Sequence, residues 1–193
     1  KHETPYEKEH DLPPHWAKLK ILRNLLVETE YDFVVWFDAD TMLMNHETRL
    51  EDLIQSHMEV NRDFLMSRDV SDHINSGVIM VRNTPYAIDQ LELIYNLQEL
   101  RYRHCQDQDA VNQVYERNIN QYKDRTSILP SSQQHVFNGV VGLYNWGQFL
   151  IHFMSLSPQG LNDAFVNFYP FERDDENDER YQVRLNWIKN YNN

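Results

Sequence analysis

The stretch YDFVVWFDADTMLMN, residues 31–45, constrains the fold more than any other part of the sequence. Its apolar run at 33–37 is rich in β-branched and aromatic side chains. Such a run predicts a strand covered on both faces in a parallel or mixed sheet. Asp38 and Asp40 follow at once. Because ligands bind beyond the carboxyl ends of strands in open α/β sheets, we expect both carboxylates at a ligand-binding edge.

Two neighbouring carboxylates repel each other unless a cation lies between them. Mg²⁺ and Mn²⁺ both meet this need, because they prefer oxygen ligands and leave coordination positions open for substrate phosphates. The alternative is a simple turn after a strand, in which the aspartates cap the next segment. A D-x-D motif is short and common, so the choice depends on the rest of the chain.

Hydrophobic spacing elsewhere predicts alternating helices and strands, and therefore an α/β layered fold. Apolar residues recur at helical spacing for about four turns after Pro14, and Thr84 followed by Pro85 is typical of a helix start, with the helix continuing to Leu97. The acidic run at 173–180 is expected to be a solvated loop. Further helices are predicted at 49–57, 109–115 and 179–190, and further strands at 63–67, 74–83, 127–130 and 149–153.

Length, charge and cysteine content exclude several classes of protein. A chain of 193 residues is long enough for one sizeable core, so we expect a single domain over 1–193. No apolar run reaches the roughly 18 to 20 residues of a membrane span, and no signal peptide is visible, although Lys1 is not a natural start. The net charge of −12, without a basic cluster, argues against nucleic acid as a partner. Cys105 is the single cysteine, which excludes an internal disulfide.

The letters FDADT also fit a phosphatase of the haloacid dehalogenase type. In that class a D-x-D-x-T motif supplies a nucleophilic aspartate and a general acid, which would be Asp38 and Asp40. Ser67 would supply its second motif, and Asp174 with Asp175 its acidic metal motif. Two features count against this reading. In that class the motif follows the first strand of the fold, whereas here a helix comes before that strand. In addition, no buried strand precedes the acidic run.

Five motifs occur in an order and spacing that resembles glycosyltransferase family 34, the galactosyl, xylosyl and mannosyl transferases. They lie between about residues 15 and 158 and read HWAKLKILRNLL, VVWFDADTMLMN, HINSGVIMVRNTPYAIDQL, QDQDAVNQVY and IHFMSLSP. The resemblance implies a single GT-A-like domain with a Rossmann-type mixed sheet flanked by helices. It implies sugar transfer from a UDP- or GDP-linked donor, with UDP favoured, to a carbohydrate acceptor. It also implies Mn²⁺ or Mg²⁺ as cofactor, and it favours retention of the anomeric configuration.

The metal site implied by this resemblance takes its ligands from distant parts of the chain. Asp38 and Asp40 match the D-x-D motif, with Asp38 on the metal or the donor ribose, and His152 matches the late histidine ligand of the family. A neutral imidazole in the ligand set favours Mn²⁺ over Mg²⁺. Taken alone, His152 would be read as a hydrogen-bonded core histidine, and its place in the ordered motifs is what favours a ligand.

Other matching positions bind the donor or act at the reacting carbon. Asp107 and Gln108 match an acidic-Gln pair near that carbon. Either Asp107 or Asp109 would stabilise positive charge developing on the sugar or accept the proton of the acceptor. Trp16 could instead serve core packing, and Asp107 could instead be a helix N-cap. The donor-binding set, besides Asp38, is Trp16, Lys18, Asn75, Ser76 and Gly77.

Tyr144 and Trp146 are the predicted acceptor-binding residues. Tyr144 and Trp146 have ring faces that could stack on an acceptor sugar, or could serve the structure instead. The segment after His152 lacks the lysine with which family members contact the diphosphate. Stabilisation of the diphosphate charge would then rest on the metal, on Lys18 or on another basic residue elsewhere in the chain. The residues expected before Trp16, with the first nucleotide-binding strand, are missing, so the chain is a fragment or recognises the base differently. A sugar-binding domain without turnover is a third alternative.

Overall fold

The computed structural model describes residues 13–145 and 147–168. Two predicted segments, the helix at 179–190 and the acidic loop at 173–180, lie outside this range, as does Trp146. Among the described residues, no helix combines the length and the apolar composition needed to cross a bilayer. The backbone separates into a first unit, formed by 13–37 and Leu50–Ser132, and a second unit, formed by Asp38–Arg49 and 133–168.

Helices and strands follow each other closely along the described chain. The helices are α1 Pro14–Glu28, α2 Leu50–His57, α3 Pro85–Tyr95, α4 Asp107–Glu116 and α5 Pro158–Phe168. The strands are β1 Phe33–Phe37, β2 Thr41–Leu43, β3 Phe64–Arg68, β4 Ile74–Arg82, β5 Thr126–Leu129, β6 Gly139–Val140 and β7 Leu150–His152. Short 3-10 turns lie at Gln98–Leu100, Ile119–Arg125, Ser131–Val136 and Val141–Leu143.

Every helix and strand predicted within the described range is present, and three further elements are not predicted by the sequence. The Thr84 side chain accepts a hydrogen bond from the Ala87 amide, as an N-cap should. Helix α4 begins at Asp107, two residues before the predicted start, so Asp107 is a helical residue and not the N-cap. Strands β2 and β6 are too short to show periodicity. Helix α5 begins with Ser157-Pro158, a start signal that sequence reasoning missed.

The first unit is built on a mixed four-stranded sheet of order β1-β4-β3-β5. Strand β4 runs antiparallel to both β1 and β3, and β3 runs parallel to β5. The mixed sheet is as predicted, but full coverage of β1 is wrong: it is the end strand, and all its residues except Val34 are only partly buried. Its aromatic rings are partly covered by cations instead. The Arg82 guanidinium lies 4.7 Å from the Phe33 ring, and the Lys18 ammonium lies 6.0 Å from the Trp36 ring.

The register of the first sheet places the start of β4 beside the end of β1. Phe37, the last residue of β1, pairs with Val78, and Gly77 directly precedes Val78. Because the two strands are antiparallel, the segment Asn75–Gly77 lies at the carboxyl edge of β1. The strand predicted at 74–83 is thus present as Ile74–Arg82, with the N-S-G segment near its start.

Helix α1 packs against α3 and β1 through a buried face that is apolar except for Lys18. Trp16 is 0% exposed, and its ring meets Tyr95 edge to face with 6.5 Å between the ring centres. This is the core-packing role that the sequence left open for Trp16. The rest of the buried face of α1 is Lys18, Leu19, Leu22 and Leu26.

The second unit has its own sheet and its own core. Its strand order is β2-β7-β6, with β2 antiparallel and β6 parallel to β7. Helix α5 contributes Ala164 and Phe168 to the core beneath this sheet. The other buried members of the core are Met42, Val141, Tyr144, Ile151 and Phe153.

Replacing Trp16 with alanine should reduce the free energy of unfolding by roughly 3–5 kcal/mol, because a large buried ring is lost and a cavity remains. Tyr31→Ala is the matched control, since the Tyr31 side chain is 66% exposed and its loss should cost little. Denaturant unfolding followed by circular dichroism measures both. Equal stability of the two variants would show that Trp16 does not anchor the core.

Candidate functional site

Asp38, Asp40 and His152 form a cluster in the second unit that has the composition of a metal site. One ligand atom from each residue lies within 4.8 Å of the other two. The two aspartates are half-buried, whereas the His152 side chain is buried. The grouping predicted from the motif order is therefore present in the structure.

Local backbone geometry explains how residues so distant in sequence meet. A tight turn follows Asp38, whose carbonyl accepts hydrogen bonds from the amide and the hydroxyl of Thr41 at 3.1 and 2.7 Å. Strand β2 begins at Thr41 and pairs with β7 so that Thr41 faces His152 directly. The Phe153 amide donates to the Asp40 carbonyl at 2.8 Å and extends this pairing by one residue. His152 is thus fixed beside Asp40.

The distances and the donor set of this cluster fit a divalent ion. His152 Nε2 lies 3.2 Å from Asp40 Oδ1. Ligand atoms about 2.1 Å from an ion on neighbouring octahedral positions are about 3 Å apart, which is close to this value. Two carboxylates and one imidazole suit Mn²⁺ well and Mg²⁺ less well, because nitrogen is the softer ligand.

Asn138 is a neighbour of the cluster that the sequence analysis did not identify. Its Oδ1 lies 2.9 Å from His152 Nδ1, at hydrogen-bond distance, and both side chains are buried. No motif pointed to this residue. The signal that could have found it is the residue type, since a polar amide between Phe137 and Gly139 in an apolar stretch needs a partner when buried.

A second cluster, in the first unit, centres on Asp107. Asp107 Oδ2 accepts a hydrogen bond from Ser76 Oγ at 2.8 Å and forms an ion pair with Lys18 Nζ at 3.2 Å. The Lys18 ammonium also donates to the Ser76 carbonyl at 3.1 Å. All three residues are at least 96% buried. The Lys18 ammonium is thus engaged by a carboxylate and a carbonyl inside this unit, rather than exposed to receive a diphosphate.

Gln108 lies beside this cluster with its amide oriented by two neighbours. Its Oε1 accepts from the Ser76 amide at 3.3 Å, and its Nε2 donates to Asp69 Oδ2 at 3.4 Å. Asn75 Oδ1 accepts from the Gly77 amide at 2.9 Å, which shapes the start of β4. Of the predicted donor and reaction residues, the structure therefore groups Lys18, Ser76, Asp107 and Gln108 directly. Asp109 instead accepts from the Cys105 amide at 3.2 Å and supports the turn before α4.

Tyr144 has a structural environment in the second unit. Its side chain is 8% exposed and belongs to the core, and burial raises its pKa to about 12, against a smaller opposing effect of a hydrogen bond to the Gly147 backbone. This matches the structural alternative given for Tyr144 above. Ser67, which the phosphatase interpretation requires at a reacting centre, is a fully buried residue of β3.

Solved structures with the same fold are glycosyltransferases. One, described as involved in the glycosylation of the major capsid of PBCV-1, has a TM-score of 0.67 at 16% identity, with 85% of this chain and 80% of that chain covered. Apo GlyE of Streptococcus pneumoniae TIGR4 has a TM-score of 0.53 at 14% identity, covering 93% and 48%. The galactosyltransferase LgtC, in complex with donor and acceptor sugar analogs, has a TM-score of 0.52 at 14% identity, covering 95% and 72%.

These likenesses define the class of fold, which is the GT-A-like fold of glycosyltransferases, as the sequence predicted. This chain spans about half the length of GlyE. No curated protein matches it in sequence. The chain belongs to the family DUF273, described as proteins of unknown function, whose model matches residues 15–119, more than half of the sequence. This match does not confirm membership of glycosyltransferase family 34.

The buried Lys18 and Asp107 pair generates a stability prediction. Lys18→Met should reduce the free energy of unfolding by roughly 3–5 kcal/mol, because Asp107 would remain buried without its counter-ion. The double variant Lys18→Met/Asp107→Leu should lose less than the sum of the two single variants. Chemical denaturation of the four proteins measures this coupling.

A matched control for this cycle is the exposed pair of Arg23 and Glu92 in the same unit. Their charged atoms are 3.0 Å apart, but the side chains are 36% and 50% exposed. Arg23→Met should therefore cost less than about 1 kcal/mol. Strictly additive losses at Lys18 and Asp107 would contradict a coupled buried pair.

Proposed function

We propose that this chain is a metal-dependent glycosyltransferase that moves a sugar from a nucleotide diphosphate donor to a carbohydrate acceptor. The observation that carries the proposal is the cluster of Asp38, Asp40 and His152, whose ligand atoms lie within 4.8 Å of one another in a GT-A-like fold. Either feature alone is common. Together they combine a site for a divalent ion with the fold that glycosyltransferases use.

The metal site supplies charge neutralisation. Asp40 and His152 would hold a divalent ion, with Asp38 on the ion or on the donor ribose, and the bound ion would supply positive charge against the diphosphate leaving group. The described residues directly after Phe153 are Met154, Ser155 and Leu156, none of which is cationic. Because Lys18 is paired with Asp107, the ion would have to neutralise more of the charge of the diphosphate.

For the first unit we assign the Asp107 cluster to the donor sugar and the reacting carbon. The Lys18 ammonium and the Ser76 hydroxyl both stabilise the negative charge of Asp107 and hold its carboxylate in one orientation. A fixed carboxylate suits stabilisation of an oxocarbenium-like centre. Gln108, held at both ends of its amide, is suited to contact the same sugar through its remaining hydrogen-bonding capacity.

The finer assignment rests on the motif resemblance. It favours UDP over GDP as the nucleotide, Mn²⁺ over Mg²⁺ as the ion, and retention of the anomeric configuration. Asn75 and Gly77, at the start of β4, would lie against the donor, and Asp38 would contact the ribose if it does not bind the ion. LgtC, which shares the fold, has been solved with donor and acceptor sugar analogs, and this supports a substrate pair of the same general class.

A panel of nucleotide sugars incubated with the protein and Mn²⁺ tests the proposal, because donor hydrolysis reveals the donor without an acceptor. One UDP- or GDP-sugar should release free nucleotide diphosphate, and chelation of the metal should abolish the release. Asp40→Asn and His152→Ala should lower the rate by about 10² or more, because each removes a ligand. Asp163→Asn, on the exposed face of α5, is the matched control.

Three results would contradict the proposal. Release of nucleotide diphosphate that is unaffected by chelation would show that the reaction does not need a metal. Covalent phosphorylation of Asp38 by a phosphate ester, detected by trapping with beryllium fluoride or by mass spectrometry, would instead establish the phosphatase chemistry of a nucleophilic aspartate. Binding of a nucleotide sugar without any turnover would indicate a sugar-binding domain.

The role assigned to Asp107 has a separate test. Asp107→Asn should lower turnover by about 10² or more while nucleotide affinity stays nearly unchanged, because the interaction is made in the transition state. Rates are compared per folded molecule, with the folded fraction taken from circular dichroism, since this change also disturbs the pair with Lys18. Asp89→Asn, on an exposed position of α3, is the control. An unchanged rate would leave Asp107 with a structural role only.

A further inference from the structure

The hydrogen bond between Asn138 and His152 determines which ring nitrogen carries the proton. Asn138 Oδ1 lies 2.9 Å from His152 Nδ1, and each residue is 3% exposed. An amide oxygen can only accept a hydrogen bond, so Nδ1 must be the donor. The neutral imidazole then has its hydrogen on Nδ1 and its lone pair on Nε2.

That lone pair points into the candidate metal site. His152 Nε2 lies 3.2 Å from Asp40 Oδ1, an atom that also carries lone pairs. Two such atoms attract each other only when a proton or a metal ion lies between them. The opposite tautomer would direct an N–H at Asp40 and offer no lone pair to an ion. The tautomer set by Asn138 is therefore the one that can bind a metal.

Asn138 is itself held in place by the backbone around it. The backbone N–H of Asn138 donates to the backbone carbonyl of Gln134 at 2.8 Å. The next residue, Gly139, pairs with Ile151 in the parallel pairing of β6 and β7. A Cβ on Gly139 would lie only 2.9 Å from the Leu150 carbonyl oxygen, so a side chain at this position would push the strands apart. Glycine therefore lets β6 approach β7 closely enough for Asn138 to reach the imidazole.

We propose that Asn138 is a positioning residue for metal binding, which acts by fixing the tautomer and the ring orientation of His152. This inference rests on the proposed metal site but not on glycosyl transfer. Hydrogen-bond partners of metal-bound histidines typically contribute 10- to 100-fold to metal affinity. Asn138 should contribute to a similar extent, without contacting the ion or the substrate.

Two substitutions at Asn138 separate positioning from packing. Asn138→Leu keeps a similar volume but removes the acceptor, so Mn²⁺ affinity should fall about 10- to 100-fold. Asn138→Asp keeps an acceptor at the same place, so Mn²⁺ affinity should stay within a few-fold of the wild-type value. Asn145→Leu, at an exposed position of the same unit, is the matched control and should bind Mn²⁺ normally.

The experiment measures Mn²⁺ alone by titration calorimetry, without nucleotide, on each folded variant. The tautomer is read independently by long-range ¹H–¹⁵N NMR of the metal-free protein labelled at histidine, with the His152 signal assigned by its loss in His152→Ala. Wild type should show a hydrogen on Nδ1, and Asn138→Leu should lose this preference. If the leucine variant does not fold, the aspartate variant and the wild-type spectrum still decide.

The possible results distinguish this inference from the proposed function. A wild-type imidazole with its hydrogen on Nε2 and none on Nδ1, unchanged Mn²⁺ affinity in folded Asn138→Leu, or an Asn138→Asp variant that loses Mn²⁺ as the leucine variant does would each overturn the inference. Absence of Mn²⁺ binding by the wild type would overturn the metal site and the inference together. Normal Mn²⁺ binding with no release from any nucleotide sugar would contradict the transferase alone.

Discussion

The register between β2 and β7 is the constraint on which the candidate metal site depends. Each strand has only three residues, yet this pairing sets Thr41 against His152 and so places the imidazole beside Asp40. Side chains alternate between the two faces of a sheet, so a shift of one residue would turn the imidazole away from the aspartates. Backbone hydrogen bonds from Phe153 and Met44 extend the pairing at both ends and oppose such a shift.

The W-x-K spacing on α1 has a structural explanation that the motif alone does not provide. Trp16 packs into the apolar core of the first unit, whereas Lys18 turns to the carboxylate of Asp107 and the carbonyl of Ser76. One helical turn thus contributes both an apolar anchor and a buried cation. Lys18, which resembles part of a donor-binding motif, therefore also orients Asp107, for which a role at the reacting carbon is proposed, and a substitution of Lys18 would affect stability as well as any such role.

The sequence predicted the longer elements because their hydrophobic patterns are local. Helix α1 and strands β3 and β4 could be located in this way, and the glycine-containing entry to β4 was found with them. Strands β2 and β6 could not be found, since two or three residues carry no period and the pairing that creates them is distant. Coverage of β1 on both faces was mispredicted, because an apolar run does not show whether apolar residues or, as at Phe33, a cation cover its rings.

The same difference between local patterns and distant contacts decided which residues of the candidate site could be predicted. Asp38 and Asp40 could be identified from their position after a strand, but His152 joined them only through the order of motifs. The burial of Lys18 and the contact from Asn138 depend on partners that no local pattern reveals. The structure supplies these contacts, and with them the reasons why the site residues keep fixed orientations.

The close approach of β6 to β7 at Gly139 also has an evolutionary consequence. A methyl group there would collide with the Leu150 carbonyl oxygen, whatever the sequence does elsewhere. This steric limit on the approach of β6 to β7 also sets how near Asn138 lies to His152, so selection should act on positions 138, 139 and 152 as one unit.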